Sequence, residues 1–497
     1  MYNQTTIRHA QVFALSCWVL IGAAAQASAQ GLIFSNDFES SRLCVWSSHP
    51  CDPADLLGLP AYYEQQASAL IQGSSCVSPS DDMETMTKVV AMALLQRAIS
   101  VQGIYSPFLE TYPFDDDDGD GFSPLPDPEP ATLRAKDCND NDRNAHPLLA
   151  SDGGVEDGNC NGIFGAEPGT GLSYEDLLCG PYEDKENLLV FGDSLASGFH
   201  MDVGCLDGEF TSCMETGLGS LYNFPWQAFL TGTDVANSLH LEMLELDRCA
   251  HRQWMNLAVP DDEIMHFDRQ VSRMTVPPGV ARASFVIAFF GLGDICRDDL
   301  VSMTDPQDFQ SRLLRGLADL DLKLAPGSVV LLLGLPAPNP IILSIENEIY
   351  PSSPDIGSPD SYTYSDVYEY LNCLEASSCP IITTNDVGLR MAATMRALEL
   401  DAVIQATAQA GGFNNFSLVF IDSDEVYQDG SDLMDDAGID PILLFTSFDG
   451  FHTRLEYSNF LAEALFNILA VRFPQVLGYP NPNNATIEAL FGDQGGH

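Results

Sequence analysis

The sequence predicts an α/β protein built on a parallel sheet covered on both faces, and two observations carry that prediction. Short apolar runs at 188–191, 284–290, 328–334 and 417–422 have the length and continuity of buried strands. Longer stretches with apolar residues at helical spacing, such as 308–324 and 387–409, separate them. Strands that alternate with helices pair in parallel through crossover connections, and helices then cover both sheet faces.

Taken in order, the first element is removed before folding. Arg8 and His9 precede an apolar run at 12–25, and Ala27-Ser28-Ala29 offers a small-residue cleavage site, so residues 1–29 read as a secretory signal peptide. The run is too short to span a bilayer, and no later stretch is long and apolar enough to do so. The chain is therefore expected to be secreted or periplasmic. Removing Cys17 with this peptide leaves an even number of the 13 cysteines in an exported chain, which predicts disulfides. Cys373 and Cys379 read as a local pair closing the end of a helix that starts at Tyr364.

Residues 30–112 form a small helical region of unknown role. Two helical patterns, 61–71 and 82–99, lie there with Cys44, Cys51 and Cys76 around them, and spacing of this type points to packing.

At 113–166 the composition turns acidic. Asp116, Asp118, Asp120 and the carbonyl of Phe122 present oxygens at alternate positions, with Gly119 and Gly121 permitting the tight turn that wraps Ca²⁺. The last position of a twelve-residue EF-hand loop holds Asp127 in place of Glu, and Pro124, Pro126 and Pro128 leave no flanking helix, so the loop is EF-like only. Asp137, Asn139, Asp140 and Asp142, then Asp157, Asn159 and Asn161, continue the pattern beside an expected Cys138–Cys160 bridge. Carboxylates and carboxamides favour a hard cation over zinc, because the cysteines lack histidines at ligand spacing. A solvated acidic linker is the competing reading, and the regular repetition stands against it.

The whole chain carries 71 acidic and 21 basic residues, a formal charge of −50. Phosphate binding needs Lys and Arg, so nucleic acid is excluded as a ligand. An anionic lipid surface repels such a chain at long range unless divalent cations or high salt intervene.

The chemistry lies in 167–497. The strand at 188–191 runs into Gly192-Asp193-Ser194-Leu195, where a strand turns into a helix and presents a serine together with its own N–H. Far downstream, Asp449 and His452 stand three residues apart, just before the amphipathic helix at 455–471. An imidazole placed against Ser194 and oriented by that carboxylate completes a Ser-His-Asp triad. A nucleophile after the first strand of a parallel sheet makes the architecture flavodoxin-like. The chain order Ser194, Asp449, His452 is that of the SGNH, or GDSL, hydrolases, which this domain resembles.

A narrower resemblance rests on a set of motifs in order. These are DGDGFSP, KDCNDND and DGNCNGIFG, then FGDSLASGFHM, CAHRQWMN at 249–256, LGDIC at 292–296, YSDVYEYLNCLEASSC, DGFH, and the terminal FPQVLGYPNP and FGDQGGH. Over 114–497 the chain resembles the acyloxyacyl hydrolase family, as a bacterial homologue without a recognisable saposin domain. The resemblance implies a secreted, calcium-binding SGNH lipase that cleaves fatty acyl esters of lipid A in lipopolysaccharide, or of phospholipids. Ser194 is then the nucleophile, His452 the base and acid, and Asp449 the carboxylate that orients the imidazole. His200 matches a family histidine and reads as a packing residue.

Three departures from the family pattern matter. Only Cys44, Cys51 and Cys76 precede the acidic segment, where the family's animal members have a saposin-like domain with six cysteines. Pro260-Asp261 stand where the family has Asn-Gly, and Leu292-Gly293-Asp294 where it has Gly-Asn-Asp. The expected oxyanion donors are thus the N–H groups of Ser194, Asp261 and Gly293, without the side-chain amide, and Asn256 is a candidate replacement. One missing donor typically costs about 10² to 10³ in turnover. Two further functions stay open: a calcium-binding SGNH domain with little activity, and a carbohydrate O-acetyl esterase, since the fold accepts many esters.

Overall fold

The computed structural model describes residues 59–102, 116–124, 134–149, 155–180, 187–199, 228–233, 237–274, 283–354, 360–454 and 457–496. The expected signal peptide 1–29, Cys44, Cys51 and His200 lie outside these residues. By its contacts the chain divides into Met1–Asp55, which is outside the described residues, and Leu56–His497. No helix among the described residues is long and apolar enough to cross a membrane.

Five parallel strands form the sheet: β1 (Asn187–Gly192), β2 (Trp254–Asn256), β3 (Ser284–Phe289), β4 (Ser328–Leu333) and β5 (Phe416–Ile421). Their order is β2-β1-β3-β4-β5, the flavodoxin-like arrangement. Every residue of β1, β3 and β4 is buried, as a sheet covered on both faces requires, while edge strand β5 is exposed in part. Four strands match the apolar runs to within a residue. β2 was not expected, because three residues inside CAHRQWMN are too short to show a period.

The helices used below are α1 (Leu59–Gly73), α2 (Met83–Gln102), α3 (Ser194–Ser197), α4 (Leu239–Leu246), α5 (Phe267–Ser272), α6 (Leu292–Ile295), α7 (Pro306–Lys323), α8 (Tyr364–Cys373), α9 (Val387–Ala410), α10 (Ser423–Asp436) and α11 (Ser458–Arg472). On the sheet, α7 packs with α5 and α9, while α10 packs with α11, which also meets α4. α1 and α2 pack on each other, and the carboxylate of Asp82 takes the N–H groups of Glu84 and Thr85 at the start of α2. Residues 89–96 of α2 are buried without a break. A helix apolar on all sides belongs inside a fold, and α2 is therefore part of the body of the protein.

Four disulfides occur among the described residues: Cys76–Cys373, Cys138–Cys160, Cys179–Cys249 and Cys296–Cys379. The expected local pair Cys373–Cys379 is incorrect. Cys373 at the end of α8 faces the α1–α2 hairpin and bonds Cys76, while Cys379 meets Cys296 just after α6. The Cys138–Cys160 bridge is present as expected.

The acidic segment is stitched to the β2 edge of the sheet. Ala135 N–H donates to Trp254 O at 3.2 Å, and the Gln253 side chain takes Leu148 N–H at 2.7 Å while donating to Asn159 O at 2.7 Å. The carboxyl end closes over the same region, with Gln494 donating to Asn161 O at 2.6 Å and Arg252 to the carbonyls of Gly495 and Gly496. The terminal FGDQGGH motif thus fastens the acidic segment.

Candidate active site

The carboxyl ends of β1 and β3 converge on Asp193. Its carboxylate takes Leu195 N–H at 3.0 Å on one oxygen, and on the other Gly291, Leu292 and Gly293 N–H at 3.0, 2.8 and 3.4 Å. Burial pushes this carboxyl up to about 6, against the pull of those N–H donors. Asp193 thereby caps α3 and ties it to α6.

Ser194 opens α3, and His452 Nε2 lies 2.8 Å from its Oγ. His452 Nδ1 is 2.6 Å from Asp449 Oδ2, so the three side chains form one chain of hydrogen bonds. All three are buried, and the rings of Phe199 and Phe451 flank the imidazole at 4.9 and 4.5 Å between centroids. Burial opposes ionisation of Asp449, but the His452 charge and the hydrogen bonds from His452 and Phe451 outweigh it and hold the carboxyl at about 2. A carboxylate that stays ionised keeps the proton of the neutral imidazole on Nδ1 and leaves Nε2 free to take one from Ser194.

The loop that carries Asp449 is held by three tyrosines. Tyr364 donates to Ser447 O at 2.6 Å, Tyr350 to Phe448 O at 3.0 Å and Tyr368 to Asp449 O at 2.8 Å, so three consecutive carbonyls are fixed. Burial raises all three phenols well above their usual range, which keeps them protonated as donors. Gly450 follows at φ +76, and a Cβ there would run into the Tyr368 hydroxyl. Ser447 Oγ at 3.2 Å and the N–H groups of Phe451 and His452 at 3.1 and 3.0 Å satisfy Asp449 Oδ1. On Oδ2 there is one more donor, Gln96 Nε2 of α2 at 2.6 Å.

The expected oxyanion donors divide. Ser194, Asp261 and Gly293 all line the small depression at the triad, with Pro260, Leu292 and Phe451. The N–H groups of Ser194 and Asp261 meet no acceptor among the described residues, whereas that of Gly293 is directed at the Asp193 carboxylate. Asp261 adopts φ +64, the left-handed conformation that glycine takes most readily. Burial raises its carboxyl well above the usual range, and Arg297 at 3.7 Å opposes that. Asn256 does not replace the missing amide. Its Nδ2 donates to Ala196 O at 2.9 Å and Thr231 Oγ1 at 3.0 Å, and its Oδ1 takes Ala258 N–H, so the side chain is spent on bracing β2 against α3. A side chain at 293 has no room either. A Cβ on Gly293 would lie 2.7 Å from Asp262 O and 2.9 Å from Asp261 O.

The expected metal ligands also divide. Asp116, Asp118 and Asp120 bring carboxylate oxygens within 4.8 Å of one another. The N–H groups of Gly119 and Gly121 wrap onto Asp116, and Phe122 N–H donates to Asp120 at 2.8 Å. Buried oxygens of Asp118, Asp120, Asp137 and Asp157 have no hydrogen-bond partner. Burial lifts Asp120 to about 7 and Asp137 to about 6, with neighbouring carboxylates adding to the rise. Converging carboxylates at Asp116, Asp118 and Asp120, with partnerless oxygens on Asp118 and Asp120, fit a hard divalent cation. The Phe122 ring stacks on His146, which leaves only its carbonyl for such an ion. Asp140 accepts Asp117 N–H at 2.9 Å beside this group. Asn139 and Asp142 are exposed, and Asp142 is turned to Asn144. In the second cluster the amides of Asn159 and Asn161 donate to Glu175, a buried carboxylate that sequence reading had not singled out.

This geometry can be set beside known proteins. Rabbit (Oryctolagus cuniculus) acyloxyacyl hydrolase is 28% identical over 388 residues, a match that covers 73% of this chain and 65% of the relative. The chain is similar to acyloxyacyl hydrolase. The human (Homo sapiens) acyloxyacyl hydrolase is 28% identical over 391 residues with the same coverage, so this chain spans 65% of the length of the curated relatives it matches. No family model matches it. A solved structure of a GDSL-like lipase from Parabacteroides merdae shares 10% identity at a TM-score of 0.27, covering 58% of this chain and 98% of that one.

Proposed function

We propose that this protein is a secreted carboxylic ester hydrolase that cleaves fatty acyl esters of lipopolysaccharide or phospholipid by a Ser-His-Asp mechanism. The observation that carries the reading is the continuous chain Ser194 Oγ, His452, Asp449 at 2.8 and 2.6 Å. Ser194 attacks the acyl carbonyl as His452 Nε2 takes its proton, and the alcohol leaves with that proton. Water activated by the same imidazole then attacks the acyl-enzyme, and the fatty acid departs. The developing oxyanion meets the N–H groups of Ser194 and Asp261.

Two further observations support a lipid. The similarity to acyloxyacyl hydrolase, a name that describes acyl ester cleavage, covers 73% of the chain. A cavity of about 670 Å³ is lined by Leu300, Pro380, Ile381 and Leu389, with Arg97, Asp298, Asp299 and Glu375 among the polar residues of its wall. An acyl chain suits the aliphatic part of that wall. Asp116, Asp118, Asp120 and Asp137 would hold a calcium ion, which would brace the acidic segment that is hydrogen-bonded to the β2 edge. It would also offset part of the chain's strong negative charge.

A second reading is a calcium-binding domain of low turnover. One observation favours it: Gly293 contributes neither a side-chain amide nor a free N–H. The test is release of free fatty acid from lipopolysaccharide and from a phospholipid, with calcium, by wild type and Ser194→Ala. Release that vanishes in the variant is expected. If neither protein releases fatty acid and short esters also stay intact, the low-turnover reading replaces this one.

A further inference from the structure

We propose that Gln96, on helix α2 of the amino-terminal region, is a positioning residue for the triad. It sets the Asp449 carboxylate, and through it the imidazole of His452. The inference rests on the hydrolase reading above and adds to it a role for a region to which sequence reading attached no chemistry.

Gln96 is 353 residues from Asp449 in the chain and 3% exposed, yet its Nε2 donates to Asp449 Oδ2 at 2.6 Å. That is the oxygen that accepts His452 Nδ1, also at 2.6 Å. Among the described residues the donors to Oδ1 are the Ser447 hydroxyl and the N–H groups of Phe451 and His452, all from the Ser447–His452 turn itself, so they move with the turn. Gln96 instead arrives from another element and fixes the carboxylate relative to the body of the protein. Without Gln96, the donor left on Oδ2 among the described residues is His452 Nδ1, the very group the carboxylate has to orient. With Gln96 there, the carboxylate plane is set independently of the imidazole, and so is the direction along which Nδ1 is held.

The helix is anchored so that this contact keeps its place. The next residue, Arg97, donates to Ser377 O at 2.6 Å and pairs with Asp298 at 2.9 Å. Cys76, in the α1–α2 connection, is bonded to Cys373 at the end of α8, the helix that carries Tyr364 and Tyr368. The two devices that hold the Asp449 loop, tyrosines from α8 and the amide from α2, are therefore tied together covalently. The charge of the donor matters as well. A neutral amide spreads the negative charge on Oδ2 without neutralising it, so the carboxylate orients the imidazole without gripping its second proton too tightly.

The experiment uses the full chain with calcium and a short p-nitrophenyl ester, comparing wild type, Ser194→Ala, Gln96→Met and Gln96→Glu. Methionine matches the length and volume of glutamine without the donor. Gln96→Met is expected to lower kcat roughly tenfold or more with KM little changed, the loss that one charge-assisted hydrogen bond supplies. Its pH profile should show the acid limb moved upward, because a carboxylate short of a donor holds a proton on the imidazole side of the pair more firmly. Gln96→Glu should lose activity progressively as pH rises and the new carboxyl ionises against Asp449, a trend absent from wild type. If Gln96→Met folds and keeps wild-type kcat and pH profile, the positioning role is wrong while the hydrolase reading stands. Absence of any Ser194-dependent turnover in wild type overturns both.

Discussion

Replacing Gly293 by alanine tests why this chain lacks the side-chain amide found in the family pattern. The new Cβ would sit 2.7 Å from Asp262 O and 2.9 Å from Asp261 O, where an unstrained carbon–oxygen contact needs about 3.3 Å. α6 cannot yield, because Asp193 holds Gly291 and Leu292 by their N–H groups at 3.0 and 2.8 Å. The Asp261–Asp262 backbone must therefore retreat by several tenths of an ångström, for which overpacking typically costs about 1–3 kcal/mol. That retreat also carries the Asp261 N–H away from the Ser194 site, and loss of one oxyanion donor lowers turnover by about 10² to 10³. Gly293→Ala is thus expected to lower the Tm by a few degrees and kcat on a short ester by about 100-fold. Gly293→Asn, which restores the family's residue, should be no faster than wild type. The reasoning is refuted if Gly293→Asn melts like wild type and hydrolyses the ester faster.

Other predictions concern the supports of the site. Tyr368→Phe removes the donor to Asp449 O and should cost about 1 kcal/mol of stability, read by denaturant unfolding, with a several-fold drop in kcat; an unchanged kcat would mean that Tyr364 and Tyr350 suffice. Asp193→Ala strands buried N–H groups of Leu195, Gly291 and Leu292, and at about 1–3 kcal/mol for each it should abolish soluble folded protein; a cooperatively melting variant would contradict this. In the metal-free protein, burial lifts Asp120 and Asp137 to about 7 and about 6 from 3.8. Raised carboxyls favour the folded state at low pH, and that contribution is lost as pH climbs from about 4 through 7. Melting in EDTA should therefore worsen across this window while calcium restores it most at the upper end; a calcium effect independent of pH would count against the site.

Much of the site could be read in the sequence because its parts are local. The run into FGDSL and the spacing of Asp449 and His452 are short patterns, and the apolar runs of four strands are continuous. What stayed hidden depends on distant segments meeting. Gln96 looks like one polar residue in a helix until α2 is seen against the Asp449 loop. Tyr364 and Tyr368 lie four apart on one face of α8, yet nothing local says that this face meets the carbonyls of Ser447 and Asp449. Cys373 and Cys379 were paired by proximity in sequence, but α8 and the turn after it direct their side chains to different partners. Nor does the residue type at 261 announce its conformation: aspartate takes φ +64 there, with Arg297 beside it. The tight approach at Gly293 is a contact with the backbone of another loop, which no residue pattern reports.

The most direct measurement is covalent labelling with a fluorophosphonate, read by mass spectrometry of the peptide that contains Ser194. Only a serine activated by its imidazole reacts rapidly with such a reagent. Wild type is expected to carry one adduct, on Ser194, and His452→Ala to react at least 100-fold more slowly while keeping the wild-type Tm. An unlabelled Ser194 in folded, calcium-loaded wild type, or an adduct on another serine, would contradict the triad.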